Sequence, residues 1–306
     1  MSAIIFPGQG SQYTNMAMDF NDNFTISKNV FSEIEDAINI DIRRIISENQ
    51  QDKLNQTNYT QIAIFSSSIV IFKTLVDQFG IDKINPEIVL GHSLGEYSAL
   101  VANNSLNLKD ASLLIKKRGD LMHSSIKPNI SGMAAIIGKN ADQVEAIIKQ
   151  NNLPIEIAND NSPLQVVVSG LTEHINASEP IFISNGAKRY LKLKVSAAFH
   201  SKFMEETQNT FKNYIDNISF NQSNIPIISN FDALINSDIN KVILCLKNQM
   251  ANKVKWTESI QELEKTEIFE IIEIGPGKVL SGLISRITKK FVIKSIDKVQ
   301  DLEQFN

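Results

Sequence analysis

The chain has 306 residues, of which 42% are apolar and 21% charged, and its 30 basic and 34 acidic side chains leave a net charge of −4. That composition excludes wholesale disorder and a basic nucleic-acid-binding domain, and the length fits one large domain or two ordinary ones. A single cysteine, Cys245, excludes a disulfide framework and any Cys-rich metal site, and it suits a reducing compartment. The four histidines (His92, His123, His174 and His200) lack the spacing of a zincin helix, so no metal site is expected. The N-terminus has no basic stretch before its short apolar run. The longest uncharged apolar run, Ile62 to Phe72, falls short of the roughly 18–20 residues of a membrane span. A soluble, cytoplasmic protein is the expectation.

In chain order, Ala3 to Phe6 reads as a short strand running into Pro7-Gly8-Gln9-Gly10, a tight loop whose N–H groups can face inward. Apolar residues at helical spacing predict one helix from Val30 to Ile46 and another from Ile62 to Phe79, closed by Gly80. Glu87 to Leu90 is a buried strand, followed by a Gly-flanked turn and a helix to Ala102. This order argues for a parallel sheet. Ser131 to about Ser196 then reads as strand, helix, strand, strand, helix, strand. The strands are Met133–Ile137, Ile155–Ala158, Gln165–Ser169 and Arg189–Ser196, with a turn at Asn161-Ser162-Pro163. That series has the size and order of a ferredoxin-like insert. The α/β pattern resumes with a helix over Phe203–Ile215, a strand over Ile225–Ser229, a helix carrying Val242, Leu246 and Met250, and a strand over Ile268–Ile274.

Gly91-His92-Ser93-Leu94-Gly95 is a G-x-S-x-G placed between a strand and a helix, where a nucleophilic serine sits on a sharp turn beside helix N–H donors. The competing reading is a capping serine, with Glu96 three residues on at capping-box spacing. A nucleophile needs a base. His92 points to the other side of the turn, His123 closes a helix and His174 lies in a polar stretch. His200 leaves a strand through small residues, and stands as either a base or a packed histidine. Arg118 falls on the apolar stripe of its helix with Leu114, Ile115 and Met122. It fits either a structural carboxylate pair or a fork for a substrate carboxylate.

Taken together, FPGQGSQ (Phe6–Gln12), GHSLGE (Gly91–Glu96), KRG around Arg118, AFHS (Ala198–Ser201) and EIGPGKVLSGL (Glu273–Leu283) stand in one order along the chain. In that order the chain resembles the malonyl-coenzyme A:acyl carrier protein transacylases of fatty-acid synthesis. The resemblance implies an α/β-hydrolase-like core (1–127 and 199–306) with a ferredoxin-like subdomain (128–198). It implies Ser93 as the acylated nucleophile, His200 as its base, and the N–H groups of Leu94 and Gln9 as the oxyanion hole. The main-chain carbonyl of Gln249 would orient the histidine, and Arg118 would hold the malonyl carboxylate. Gln61, Met122, Asn161 and Ser196 would line the acyl pocket, with Phe199 in the malonyl-selective pattern. Lys253 departs from the proline that relatives commonly carry.

The substrates implied are malonyl-coenzyme A and a holo-acyl carrier protein, with no cofactor beyond the thioester, no nucleic acid or membrane partner, and a monomeric enzyme. An acidic carrier would dock on basic groups such as Lys116, Lys117, Lys188, Arg189, Arg286, Lys289 and Lys290. The rival reading is a serine hydrolase with a Ser93-His200-Asp160 triad. A third reading takes both glycine loops as nucleotide cradles, but Gly8-Gln9-Gly10-Ser11-Gln12-Tyr13 lacks the third glycine of a dinucleotide fingerprint and no G-K-S or G-K-T follows a glycine loop.

Overall fold

Every residue of strand β1 (Ser2–Phe6) is buried, as expected of a strand at the centre of a parallel sheet covered on both faces. In the computed structural model, which describes residues 1–127 and 129–305, β1 lies between β2 (Pro86–Gly91) and β9 (Glu270–Ile274). Outside them run β7 (Ile227–Ile228) and β8 (Ile235–Asn236) on one side and β10 (Val292–Ile296) on the other. The order is β10-β9-β1-β2-β7-β8, parallel throughout except for the last pair. The chain leaves β1 in one direction and later returns to its other side. The loops after β1 and β2 therefore open at the crevice where such sheets bind ligands.

The second sheet holds β3 (Ser131–Ile137), β4 (Ile155–Ser162), β5 (Gln165–Leu171) and β6 (Arg189–Lys192). Its order is β4-β5-β3-β6, antiparallel throughout, with helices Ala141–Gln150 and Thr172–Ser184 as connections. This is the ferredoxin-like arrangement. It has its own core, in which Ala134, Ile136, Val166 and Val168 pack on Val144, Ile147 and Phe182. The expected boundary at residue 128 lies outside the described residues.

The fold corrects several element boundaries. The helix expected from Val30 to Ile46 is two helices, Thr25–Ile38 and Ile42–Glu48. Asn39 turns left-handed (φ 53°) to end the first, and the Asp41 side chain accepts the Arg44 N–H to start the second. Strand β4 continues through Asn161 and Ser162, so the turn is tighter than expected. Strand β6 ends at Lys192, and Met250 lies beyond its helix, Ile239–Asn248. The helix Trp256–Glu264 and strand β10 carried no signal in the pattern. The helix ending at Phe79 starts at Thr57, so its 23 residues are long and apolar enough to cross a membrane. Most of it is buried in the protein, where it packs as a core helix.

Candidate active site

The loop after β2 is folded as tightly as its glycines allow. A Cβ on Gly91 would stand 2.1 Å from the Gly95 carbonyl, and one on Gly95 would stand 2.2 Å from the Phe6 carbonyl oxygen. Between them Ser93 takes φ 53°, a left-handed conformation that costs a non-glycine residue energy and lifts its side chain off the sheet. The helix Gly95–Ala102 begins at Leu94 with no side-chain cap, so the capping-box reading of Ser93 and Glu96 does not hold. Instead the Ser93 N–H donates to Asn230 Oδ1 at 2.6 Å, and Asn230 Nδ2 donates to the Gly91 carbonyl at 2.7 Å. Asn230 thus ties both sides of the turn to the loop after β7.

Ser93 Oγ lies 2.8 Å from His200 Nε2. The other ring nitrogen, Nδ1, faces two main-chain carbonyls, Gln249 at 3.1 Å and Asn252 at 3.2 Å. Carbonyls only accept, so Nδ1 carries the proton, and Nε2 accepts the hydrogen bond from Ser93 Oγ. His200 also has a left-handed backbone (φ 55°), and its N–H donates to the Met250 carbonyl. Burial and the nearby Arg118 cation lower its pKa to about 3, so the imidazole is neutral near pH 7.

Arg118 is 1% exposed. Its Nη1 donates to Gln61 Oε1 at 2.6 Å, and its Nη2 donates to Ser93 Oγ at 3.0 Å and Gln249 Oε1 at 2.9 Å. The guanidinium lies over the Tyr97 ring, 5.5 Å from its centroid. Among the described residues no carboxylate comes within ion-pair distance of it, and its Nε has no acceptor. The structural carboxylate pair is therefore absent. A buried cation without an anion is costly, and the chain retains that cost beside its serine.

These groups border a cavity of ≈ 90 Å³ whose walls include Gln9, Leu94, Met122, Phe199, Met133 and Leu193. A second space of ≈ 450 Å³ shares Gln9, His92, Asn159, Leu193 and Val195 with it, and reaches Gly10, Asn161 and Leu283. Neither the Gln9 nor the Leu94 main-chain N–H donates to a protein acceptor among the described residues. Gly8 presses this loop onto the serine turn, since a Cβ there would lie 2.4 Å from the His92 carbonyl oxygen.

The remaining expected residues divide. Gln61 is buried and also donates to Met122 Sδ at 3.2 Å. Asn161 faces the larger space and bonds His92 Nε2 at 2.8 Å, so His92 turns away from Ser93. Ser196 lies outside both linings and bonds Thr57 Oγ1. Asp160 does not join His200: its Oδ1 accepts from Thr257 Oγ1 at 2.6 Å, while carbonyls occupy the imidazole Nδ1. The Ser93-His200-Asp160 triad is overturned. Lys253 leaves the Gln249 carbonyl in contact with the histidine.

A model of the acyl transferase domain matches residues 3–302. The chain belongs to that family. It is similar to the malonyl CoA-acyl carrier protein transacylase of Staphylococcus aureus (strain MRSA252), 34% identical and covering 100% of this chain and 98% of the relative. The Bacillus subtilis (strain 168) protein of that name is 32% identical, covering 98% and 95%. Among solved structures, the acyl-carrier-protein-S-malonyltransferase of Bartonella henselae superposes with a TM-score of 0.94 at 32% identity, covering 99% and 97%. A type II PKS acyl-carrier protein in complex with its malonyl-transacylase also matches, with a TM-score of 0.94 at 30% identity, covering 99% and 98%. The α/β core with a ferredoxin-like subdomain is thus the fold of this family as well as of this chain.

Three groups in this site had no pattern that assigned them to it: Asn230, the Asn252 carbonyl and the Glu96 carboxyl. Glu96 had a signal, as a charge in the first turn of an otherwise apolar helix, but spacing suggested a cap. Of the basic groups, Lys116 pairs with Asp120 at 2.5 Å, and Lys290 Nζ donates to the carbonyls of Glu264 and Thr266. Lys188, Arg189 and Arg286 line one groove of ≈ 370 Å³ that shares Gln165 with the larger space.

Proposed function

We propose that this protein transfers the malonyl group of malonyl-coenzyme A to the phosphopantetheine thiol of an acyl carrier protein, through a malonyl ester on Ser93. The observation that carries the reading is Arg118, a buried fork with no carboxylate partner that touches the serine oxygen. A free malonyl carboxylate lying against it would supply the missing anion, and an acetyl group would not.

Ser93 Oγ attacks the thioester carbon as its proton passes to His200 Nε2. The oxyanion is received by the N–H groups of Gln9 and Leu94, each such donor typically worth about 10²–10³ in rate. Collapse expels the coenzyme A thiolate, which takes the proton from Nε2. The carrier thiol then gives its proton to Nε2 and attacks the malonyl ester, and Ser93 recovers its proton as it leaves. The carbonyls of Gln249 and Asn252 hold the ring and support its charge at each step, in place of a carboxylate. Arg118 depresses the basicity of free His200. A bound malonyl carboxylate would balance that charge and strengthen the base. Gln61 and Gln249 hold the fork, while Met122 and Phe199 bound the acyl group.

In this reading the core, 1–127 and 199–306, performs the transfer. The subdomain 128–198 walls the approach, and the groove of Lys188, Arg189 and Arg286 receives the acidic carrier. We take the enzyme to work as a monomer, since Ser93, His200, Arg118 and Gln249 already meet within one chain, and the steps need no cofactor beyond the thioester substrate. A buried free thiol, Cys245, fits a cytoplasmic role in fatty-acid biosynthesis. Intact-mass measurement after mixing with malonyl-coenzyme A tests the reading. A malonyl adduct that is lost in Ser93→Ala and discharged by holo-carrier is expected. An adduct persisting in that variant would remove the nucleophile.

A further inference from the structure

Glu96 is a fully buried carboxyl that the transfer steps above do not use. It lies in the first turn of the helix after the serine, with its Oε2 accepting from Gln249 Nε2 at 2.6 Å and from the Asn230 N–H at 3.3 Å. The same Nε2 donates to the Ser93 carbonyl at 2.9 Å, and Gln249 Oε1 accepts from Arg118 Nη2 at 2.9 Å. One side-chain amide thus stands between a buried carboxyl, whose pKa burial pushes up to about 7, and a buried cation.

An amide has two ends of similar shape and opposite polarity. A guanidinium can only donate, while Oε2 of Glu96 and the Ser93 carbonyl accept. Turning the amide over would set NH₂ against the guanidinium and oxygen against the carboxylate, and both contacts would repel. A proton on Oε1 would leave Oε2 an acceptor for the amide. Glu96 therefore holds the amide in one sense. Only in its ionised form does it add a counter-charge to Arg118, and then one amide away. A direct ion pair would occupy the fork and leave nothing for a substrate carboxylate.

We infer that Glu96 is a positioning residue for acyl selection: by fixing the Gln249 amide it keeps Arg118 beside Ser93 Oγ without quenching it. This rests on the malonyl-transfer reading and adds a residue to it. The consequence is specific. Loosening the amide should impair a substrate that uses the guanidinium and affect much less one that does not.

The test compares acylation of Ser93 by malonyl- and acetyl-coenzyme A in wild type, Glu96→Gln and Glu96→Asp, by intact mass over time, with circular dichroism of each variant. In Glu96→Gln the malonyl-to-acetyl ratio of kcat/KM should fall about tenfold, equivalent to about 1.4 kcal/mol. Glu96→Asp, which keeps the charge and draws it back by one methylene, should fall between that variant and wild type. If Glu96→Gln does not fold, the aspartate variant decides alone. A ratio unchanged from wild type, with both substrates slowed equally, would reduce Glu96 to a packing role and overturn the inference. Wild type gaining no malonyl mass would instead remove the transfer reading itself.

Discussion

The parallel core and the antiparallel insert both face the same cavity, but they contribute different things to it. From the core come Ser93, Arg118, Gln249 and His200, each fixed by two or more contacts and three of them linked through one arginine–glutamine–serine network. From the insert and the segment after it come Met133, Asn159, Leu193 and Val195, which line the space without touching Ser93 Oγ. Buried polar networks are costly unless every member is satisfied, so the polar groups of the site sit where the backbone is most constrained. Apolar walls need only volume. The difference predicts that substitutions will divide by region.

Removing the serine breaks the core side entirely: Ser93→Ala should lower malonyl transfer by about 10⁶, the scale seen when a covalent nucleophile is lost. Steady-state kcat with holo-carrier measures it, and loss of only a few-fold would dissolve the contrast between the regions. Arg118→Ala should cost malonyl transfer about 10²–10³, the scale of breaking a buried charge pair, while acetyl acylation stays level or improves. Equal losses for both acyl groups would make the arginine structural.

The pH profile sharpens the same contrast. With His200 held at about 3 in the free protein, kcat/KM should not fall as pH drops through 6.5, the ordinary histidine value. The acid limb of kcat, which reports the acyl-bound enzyme, should lie at higher pH, because the malonyl carboxylate offsets Arg118. The depressed value also sets a stability sign: the His200 contribution is present above pH 6.5 and is lost as pH falls toward 3. A kcat/KM limb centred at 6.5 would show that Arg118 and burial do not act on the base.

The smallest effects belong to the insert. Leu193→Ala should raise KM a few-fold with kcat nearly unchanged, as expected for lost wall contact. Asp160→Asn should leave transfer within about twofold, because its partner is Thr257 and not the imidazole. A large loss in that variant would restore the hydrolase triad.

Local pattern and chain order carried a large part of this protein. The serine turn was readable because strand, Gly91, Ser93, Gly95 and helix are contiguous. The ferredoxin-like insert was readable because its six elements follow in sequence. Arg118 stood out because a charge on an apolar stripe violates helical periodicity. Motif order then suggested roles for Gln9, Leu94 and Gln249. Helix ends set by a single left-handed residue, such as Asn39, were hidden, since asparagine adopts that conformation only where the surroundings favour it.

What the sequence determined by itself was therefore everything encoded within a few residues of itself, together with the family. Tertiary structure alone decided which partners meet. Gln249 is 156 residues from Ser93 and 131 from Arg118, yet its amide bonds the Ser93 carbonyl and the Arg118 fork. Asp160 lay in the right chain order for a triad and found a threonine instead. Glu96 had the spacing of a cap and became the buried carboxyl beneath the site. Hydrogen-bond partners depend on distances across the sheet, and those are fixed only when the two halves of the core close on each other.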